Sequence, residues 1–413
     1  MRIAGLGVAI SLLGDLTLYV ALPTHLEDAG IALANVGLML SANRLIRIVI
    51  NGPCGVIIER IPRRRMAVPA LFLGACSSLL YTVPGFWPLL IGRLMWGTAW
   101  AGIWLSASAM ALDISGDDNR GRFVGRLQMW YFVGIGISSL VGGALTDWLG
   151  YGDTFKVCFA LALLMAVGWW IMLPETQFHR AGGAHLSSEP GGIAPSGEAG
   201  AALPLLTAIL LLGVNWLIFL GVLGSVLPLL LKERIGETAH LAGLVIPLAT
   251  FTGALYASNQ AVSLLVSPLS GWVSDVSQQR WGLVVAAMVL GIGAMALTAI
   301  GTGMVIVLAT MLGAVATSAL QTQVMTLIGD YSRANQRGRM LGLLNTVGDM
   351  GSAGGPLLAY ALLPVIALEG IFWVATATLV LALPWTLWIA RQEPRTVRAP
   401  GWPPPPGPPL QPS

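Results

Sequence analysis

Charge is what this chain has least of. Lys and Arg number 22 and Asp and Glu 19 in 413 residues, 10% in all, where a soluble domain carries about 25%. So little polar surface cannot cover a water-exposed core of this length, which excludes a soluble enzyme, a nucleic-acid binder and a disordered chain. Cysteine is scarce too. Cys54, Cys76 and Cys158 all fall in apolar stretches, so neither a disulfide framework nor a metal-ligand spacing is expected. Histidine is limited to His25, His179, His185 and His240, each in a predicted loop. With no nucleotide-binding loop and no triad context, the expectation is no enzyme, no catalytic residue, no metal and no cofactor.

What the chain has instead is apolar length. Apolar residues make up 55%, with Gly 51 and Trp 15, a mix suited to close helix packing and interfacial anchoring in a lipid bilayer. A helix needs roughly 20 apolar residues to cross a hydrocarbon core of about 30 Å. Uncharged runs supply this at 66–92, 94–112, 127–146 and 157–174, then at 199–231, 241–274, 350–368 and 370–390. Segments 3–22 and 31–58, interrupted by charges, add two more. The first follows Met1-Arg2, contains Asp15 and reads as an uncleaved span. Residues 281–329 run for 49 positions without a charge. As one helix they would be about 74 Å long, so the run folds back at Gly301-Thr302-Gly303.

The sum is an all-α membrane protein with twelve transmembrane helices in two six-helix pseudo-symmetric bundles, 1–174 and 205–391. A cytoplasmic central loop, 175–204, joins them, and a disordered Pro-rich cytoplasmic tail, 392–413, follows. With both termini inside, sixteen of the 22 basic residues are cytoplasmic, three (Lys156, Lys232, Arg234) lie outside and three (Arg44, Arg47, Arg93) lie within spans. That asymmetry predicts cytoplasmic termini in the plasma (inner) membrane.

The two halves repeat. Asp113-Ile-Ser-Gly-Asp-Asp-Asn-Arg120-Gly121-Arg122 and Gly125 reappear 217 residues later as Asp330-Tyr-Ser-Arg-Ala-Asn-Gln-Arg337-Gly338-Arg339 and Gly342. Gly55 with Glu59, and Asn43, recur 216 residues later as Gly271 with Asp275, and Asn259. Leu22-Pro23 matches Leu227-Pro228 at an offset of 205, so the second half carries about eleven extra residues between these points. Parallel six-span repeats are a transporter architecture with the site near the midplane between halves.

On these residues the chain resembles the major facilitator superfamily over its whole length except the tail. Gly55-x-x-x-Glu59-Arg60-x-Pro62-Arg63-Arg64 is similar to that superfamily's cytoplasmic signature, with Glu for the usual Asp. The second copy keeps Gly271, Asp275 and Arg280. Leu89-x-x-x-Arg93-x-x-Trp96-Gly97 resembles the motif of proton-linked members. Gly125-x8-Gly134-x3-Ser138-Ser139-x2-Gly142-Gly143 has the spacing of the antiporter signature, and Gly342-x8-Gly351-x3-Gly355-Pro356 repeats it. Leu13-Gly14 and Pro23 match the drug-antiporter pattern. The resemblance implies a cytoplasmic gate built from Gly55, Glu59, Arg60, Arg63, Arg64, Asp113, Arg122, Gly271, Asp275, Asp330 and Arg339. In it Glu59 meets the start of span eleven near 337–340, Asp275 meets the start of span five, and Arg63 pairs with Asp113. Anions at helix N-termini are each worth about 0.3–2 kcal/mol, enough to bias a closed gate without locking it. The glycines of spans five and eleven, with Pro356, are assigned to helix packing.

Ionisable residues inside the bilayer cost at least about 2.5–3.5 kcal/mol and mark function. Asp15 on span one, Arg44 and Arg47 on span two, Arg93 on span four and Asp349 on span eleven are the charged candidates for proton and substrate binding. Polar Asn259 and Gln260 on span eight join them. The structural alternative is a set of buried ion pairs, such as Asp15 with Arg44 or Arg47, that only lock the bundle. Arg47 has a further possible partner in Asp349, across the cavity. Tyr19, Trp100, Trp104 and Trp130 could stack a substrate, although tryptophan abounds as an anchor.

The leading expectation is a monomeric secondary transporter in the lipid bilayer, coupled to protons, exporting small amphipathic molecules by alternating access. Asp15 or Asp349 carries the proton. A second reading starts from three interior arginines against two aspartates: the surplus positive charge suits an organic anion or a phosphorylated or carboxylated metabolite. A third, a membrane sensor that transports nothing, has no need of interior charge.

Overall fold

The computed structural model describes residues 2–114, 120–176, 198–241, 244–277, 279–331 and 337–392. Among them are twelve long helices. The first half holds α1 (Arg2–Ala21), α2 (Leu33–Arg60), α3 (Arg63–Leu80), α4 (Phe86–Asp113), α5 (Arg120–Leu149) and α6 (Tyr151–Met172). The second half opens with α7, which runs as α-helix Glu198–Asn215, π-helix Trp216–Leu223 and α-helix Gly224–Ile235. It continues with α8 (Leu248–Ser277), α9 (Arg280–Ile300), α10 (Met304–Tyr331), α11 (Arg337–Leu362) and α12 (Leu368–Gln392). A bilayer leaves no water for backbone groups, so spans satisfy them internally as helix.

Eight of the twelve are long and apolar enough to cross a membrane on composition alone. The other four, α3, α4, α8 and α11, carry Arg63, Arg93, Asn259 with Gln260, and Asp349. Asp15, Arg44 and Arg47 lie instead on α1 and α2, two of the eight.

Three boundaries differ from the sequence reading. The run 66–92 is not one span: α3 stops at Leu80, and the chain turns at Gly85 (φ 129°) before α4 starts at Phe86. The helix of α7 begins at Glu198, inside the expected loop 175–204. The expected span 241–274 starts instead in a hairpin, β1 (Thr238–Leu241) against β2 (Leu244–Pro247), antiparallel with Thr238 opposite Pro247. This hairpin, which contains His240, occupies the eleven-residue surplus of the second half. The fold-back at 301–303 is present, with Gly303 at φ 50° between α9 and α10. Residues 177–197 and the tail beyond 392 lie outside the described residues.

Among the described residues the two halves share an apolar core at one end only. There a single apolar core joins Leu18, Leu22, Met39 and Leu40 of the first half to Ile218, Leu227, Leu230 and Phe372 of the second. Toward the other end each half keeps its own core, around Leu71, Trp96 and Trp169 in the first and around Leu212, Trp281 and Leu320 in the second. On that side Val49, Val56 and Ile57 of α2 and Leu265, Trp272 and Val276 of α8 are exposed. The molecule is closed where the α1–α2 connection and the hairpin lie, and open where α2 turns into α3.

Candidate functional site

The interior charges sort into two groups, one within the first half and one between halves. Within the first half, α4 crosses α2 at Gly97, where an added Cβ would come within 2.3 Å of the Asn43 carbonyl oxygen. Only a residue without one permits this approach. One turn earlier on α4, Arg93 is fully buried. Its Nε donates to Met39 O at 2.8 Å and its Nη2 to Leu40 O at 3.4 Å. Its Nη1 donates to Asp15 on α1, and Asn43 Nδ2 donates to the same carboxylate oxygen at 3.2 Å. Tyr19, whose hydroxyl donates to Leu40 O at 2.7 Å, presents its ring to two guanidiniums. Arg44 lies 5.4 Å and Arg93 5.5 Å from its centroid, both at cation–π distance.

Asp15 is therefore paired with Arg93 and Asn43, not with Arg44 or Arg47. The reason is the crossing at Gly97, which inserts Arg93 between α1 and α2. Arg44 and Arg47 bond α11 instead. Ser41 Oγ donates to Ala353 O at 2.6 Å, Arg44 Nη1 to Ser352 O at 2.7 Å, and Arg47 Nη2 to Asp349 Oδ1 at 2.5 Å. Three residues spaced by three on α2 thus stitch the two halves together. Arg47 and Asp349 sit at the edge of the open space, 16% and 14% exposed. Arg44 has no carboxylate partner among the described residues.

The second seam joins α5 to α8. A Cβ on Gly143 would meet Ala249 O at 2.2 Å, and one on Gly253 would meet Ser139 O at 2.1 Å. Asp147 Oδ2 accepts from Thr250 N and Thr250 Oγ1, both at 2.6 Å. Further along α8, Asn259 and Gln260 are half-buried, and Asn259 Oδ1 is buried without a hydrogen-bond partner. No bond links either residue to the arginines among the described residues.

At the open end, Arg63 Nε donates to Asp113 Oδ2 at 3.0 Å. Glu175 accepts from the backbone N–H of Arg63 and Arg64 at 3.1 and 3.0 Å, placing an anion on the N-terminus of α3. Arg280 lies 2.9 Å from Asp330 and 4.0 Å from Asp275. Arg63–Asp113 and Arg280–Asp330 are thus one contact repeated at the 217-residue offset. Arg60 is exposed, Gly55 faces open space, and a Cβ on Gly271 would have only Thr322 near it, at 3.9 Å. The surroundings of Gly342 and the side chains of Glu59, Arg122 and Arg339 lie outside what is described, and so do the expected contacts of Glu59 with α11 and of Asp275 with α5.

Two six-helix halves related by a repeat, with an ion pair at their seam, form the architecture expected of a secondary transporter. The family model described as Major Facilitator Superfamily matches residues 4–259 and again 249–412. The chain belongs to the major facilitator superfamily. It is a multi-pass membrane transporter and not an enzyme. Tetracycline resistance protein, class G, from Vibrio anguillarum is 28% identical over 394 residues, covering 92% of this chain and 94% of that protein. An uncharacterized MFS-type transporter from Schizosaccharomyces pombe is 29% identical over 168 residues, 38% of each chain, so the match spans well under half of that relative. A bacterial homolog of the human lysosomal transporter Spinster, solved in an inward-facing and occupied conformation, has a TM-score of 0.76 and 16% identity. That likeness covers 95% of this chain and 96% of that one and is one of fold.

In this superfamily member the packing glycines divide between two faces. Gly134 and Gly142 of α5 lie against Ala9 and Thr17 of α1, while Gly143 faces α8. On α11, Gly351 and Gly355 lie against Gly213 and Gly221 of α7, while Pro356 meets Gly37 of α2. Gly125 has nothing near it and does not pack. Sequence reasoning missed Ser41 and Ser352 at the seam, and the Asp147–Thr250 contact. Ser41, three residues before Arg44, was the available signal: a polar residue on the same helical stripe. It also missed Glu175, for which the sequence offers no local cue.

Proposed function

We propose that this transporter is a proton-coupled antiporter that exports small amphipathic molecules by alternating access. It acts as a monomer in the plasma membrane, with both termini cytoplasmic. The basic-residue asymmetry supports that orientation, and with it the described form is open to the cytoplasm and closed outside. The observation that carries the reading is the Arg47–Asp349 pair. It bridges the two halves on the closed side, beside the open space, and it carries the strength of an ion pair only while the carboxyl is charged and neither partner is occupied. A proton on Asp349, or a substrate group on either residue, weakens one seam contact and shifts the population toward the opposite opening. Proton and substrate therefore compete for one lock. Asp15, already held by Arg93 and Asn43, is the less accessible of the two carboxylates. The name of the full-length relative, a tetracycline resistance protein, supports export and an amphipathic cargo.

The test is purified protein in proteoliposomes loaded with a pH-reporting dye. Ethidium, 1-naphthol and 1-naphthoate, a cation, a neutral molecule and an anion, are offered in turn under an imposed pH gradient. At least one should move uphill with counterflowing protons, and Asp349→Asn should abolish that coupling. Flux of every probe that is indifferent to a protonophore would overturn proton coupling.

A further inference from the structure

The interior pairs do not balance. Asp15 is taken by Arg93 and Asp349 by Arg47, and among the described residues Arg44 keeps only the Ser352 carbonyl and the face of Tyr19. A guanidinium offers five N–H donors, and Arg44 is half-buried, so the donors it does not use remain accessible to a bound group. Arg47 adds to the demand: its Nε is buried without a partner. A cationic cargo would have to displace an arginine from Asp15 or Asp349 before finding an anion. An anionic cargo finds donors already unmet.

At a comparable depth the first half carries a ladder of rings. Trp100 and Trp104 of α4 stack with centroids 5.6 Å apart and planes at 17°, and Tyr131 of α5 lies 5.1 Å from Trp104. Trp100 is buried, whereas Trp104 and Tyr131 keep part of their surface free. The register between α2 and α4 sets their depth. Arg93 bonds Met39 and Gly97 touches Asn43, the same 54-residue step each time, so Arg47 is level with Ala101, between Trp100 and Trp104.

We infer that the cargo is an aromatic anion, its ring laid on Trp104 and Tyr131 and its anionic group held by Arg44 and Arg47. The inference rests on the transport reading above and names its substrate class. The anion satisfies Arg44 and draws Arg47 from Asp349, so loading the site also frees the seam.

Three probes of similar shape test it by calorimetry on the detergent-purified chain: 1-naphthoate, 1-naphthylmethylammonium and decalin-1-carboxylate. Naphthoate should bind at least about ten-fold more tightly than the ammonium, the scale of one charge-assisted hydrogen bond. It should also bind several-fold more tightly than the saturated acid. Arg44→Gln should weaken naphthoate by about ten-fold and spare or improve the ammonium, while Arg44→Lys recovers part of the loss. Trp104→Leu should bring naphthoate down to the level of the saturated acid. An ammonium that binds wild type as tightly as naphthoate overturns the inference, and so does an Arg44→Gln affinity within two-fold of wild type. If Arg44→Gln does not fold, the wild-type probe series decides. Naphthoate binding with proton-indifferent flux would refute proton coupling and leave this inference standing. Proton-driven flux of ethidium without naphthoate binding would do the reverse.

Discussion

A single guanidinium organises the first half. Arg93 is fully buried, and it ties α4 to α1 through Asp15 and to α2 through the carbonyls of Met39 and Leu40. Removing one member of a buried pair costs about 3–5 kcal/mol, because the other is left uncompensated. Arg93→Gln should therefore lower the melting temperature of the detergent-solubilised protein sharply. Adding Asp15→Asn should recover much of the loss, since Asn43 can still bond the new amide. A double variant no more stable than Arg93→Gln would show that the two side chains are not coupled. The pair is 78 residues apart in sequence, and no helical periodicity reveals it. Spacing shows which stripe a charge occupies, not which neighbour that stripe will meet. For this reason the sequence marked the charges within spans yet named Arg44 or Arg47 as an ion-pair partner for Asp15, where the structure has Arg93.

At the scale of the helix, close approach decides partners. Gly97→Ala would set a Cβ within 2.3 Å of a backbone oxygen on α2, and overpacking of this kind costs about 1–3 kcal/mol. Gly125→Ala meets nothing and should be neutral or slightly stabilising, since alanine favours helix over glycine by about 1 kcal/mol. Thermal melts of the two variants check this, and equal destabilisation would contradict the packing described. The glycine spacing of α5 and α11 was legible as a sign of tight packing. Its division between a neighbour in the same half and one across the seam was not, because every position of a bare helix reads alike. The hairpin was hidden for a related reason: Leu244-Val245-Ile246 continues an apolar run that suits a membrane span as well as a strand. Only the eleven-residue slip in the repeat betrayed it.

For the molecule as a whole, the seam predicts how its openings interconvert. Ala353 is fully buried where α2 meets α11. With Cys54, Cys76 and Cys158 replaced by Ala, an Ala353→Cys thiol should react slowly with a soluble maleimide. Adding Asp349→Asn should speed labelling several-fold, because one of three side-chain ties across that seam is weakened. An unchanged rate would mean the apolar core alone holds the closed end. The duplication offers something further. Arg63–Asp113 has side chains 5% and 3% exposed, and its twin Arg280–Asp330 has 19% and 38%. Arg63→Gln should cost about 3–5 kcal/mol, and Arg280→Gln no more than about 1 kcal/mol, read from melts in the same detergent. Each half thus serves as the control for the other, with one preparation weighing the same ion pair at two degrees of wetness.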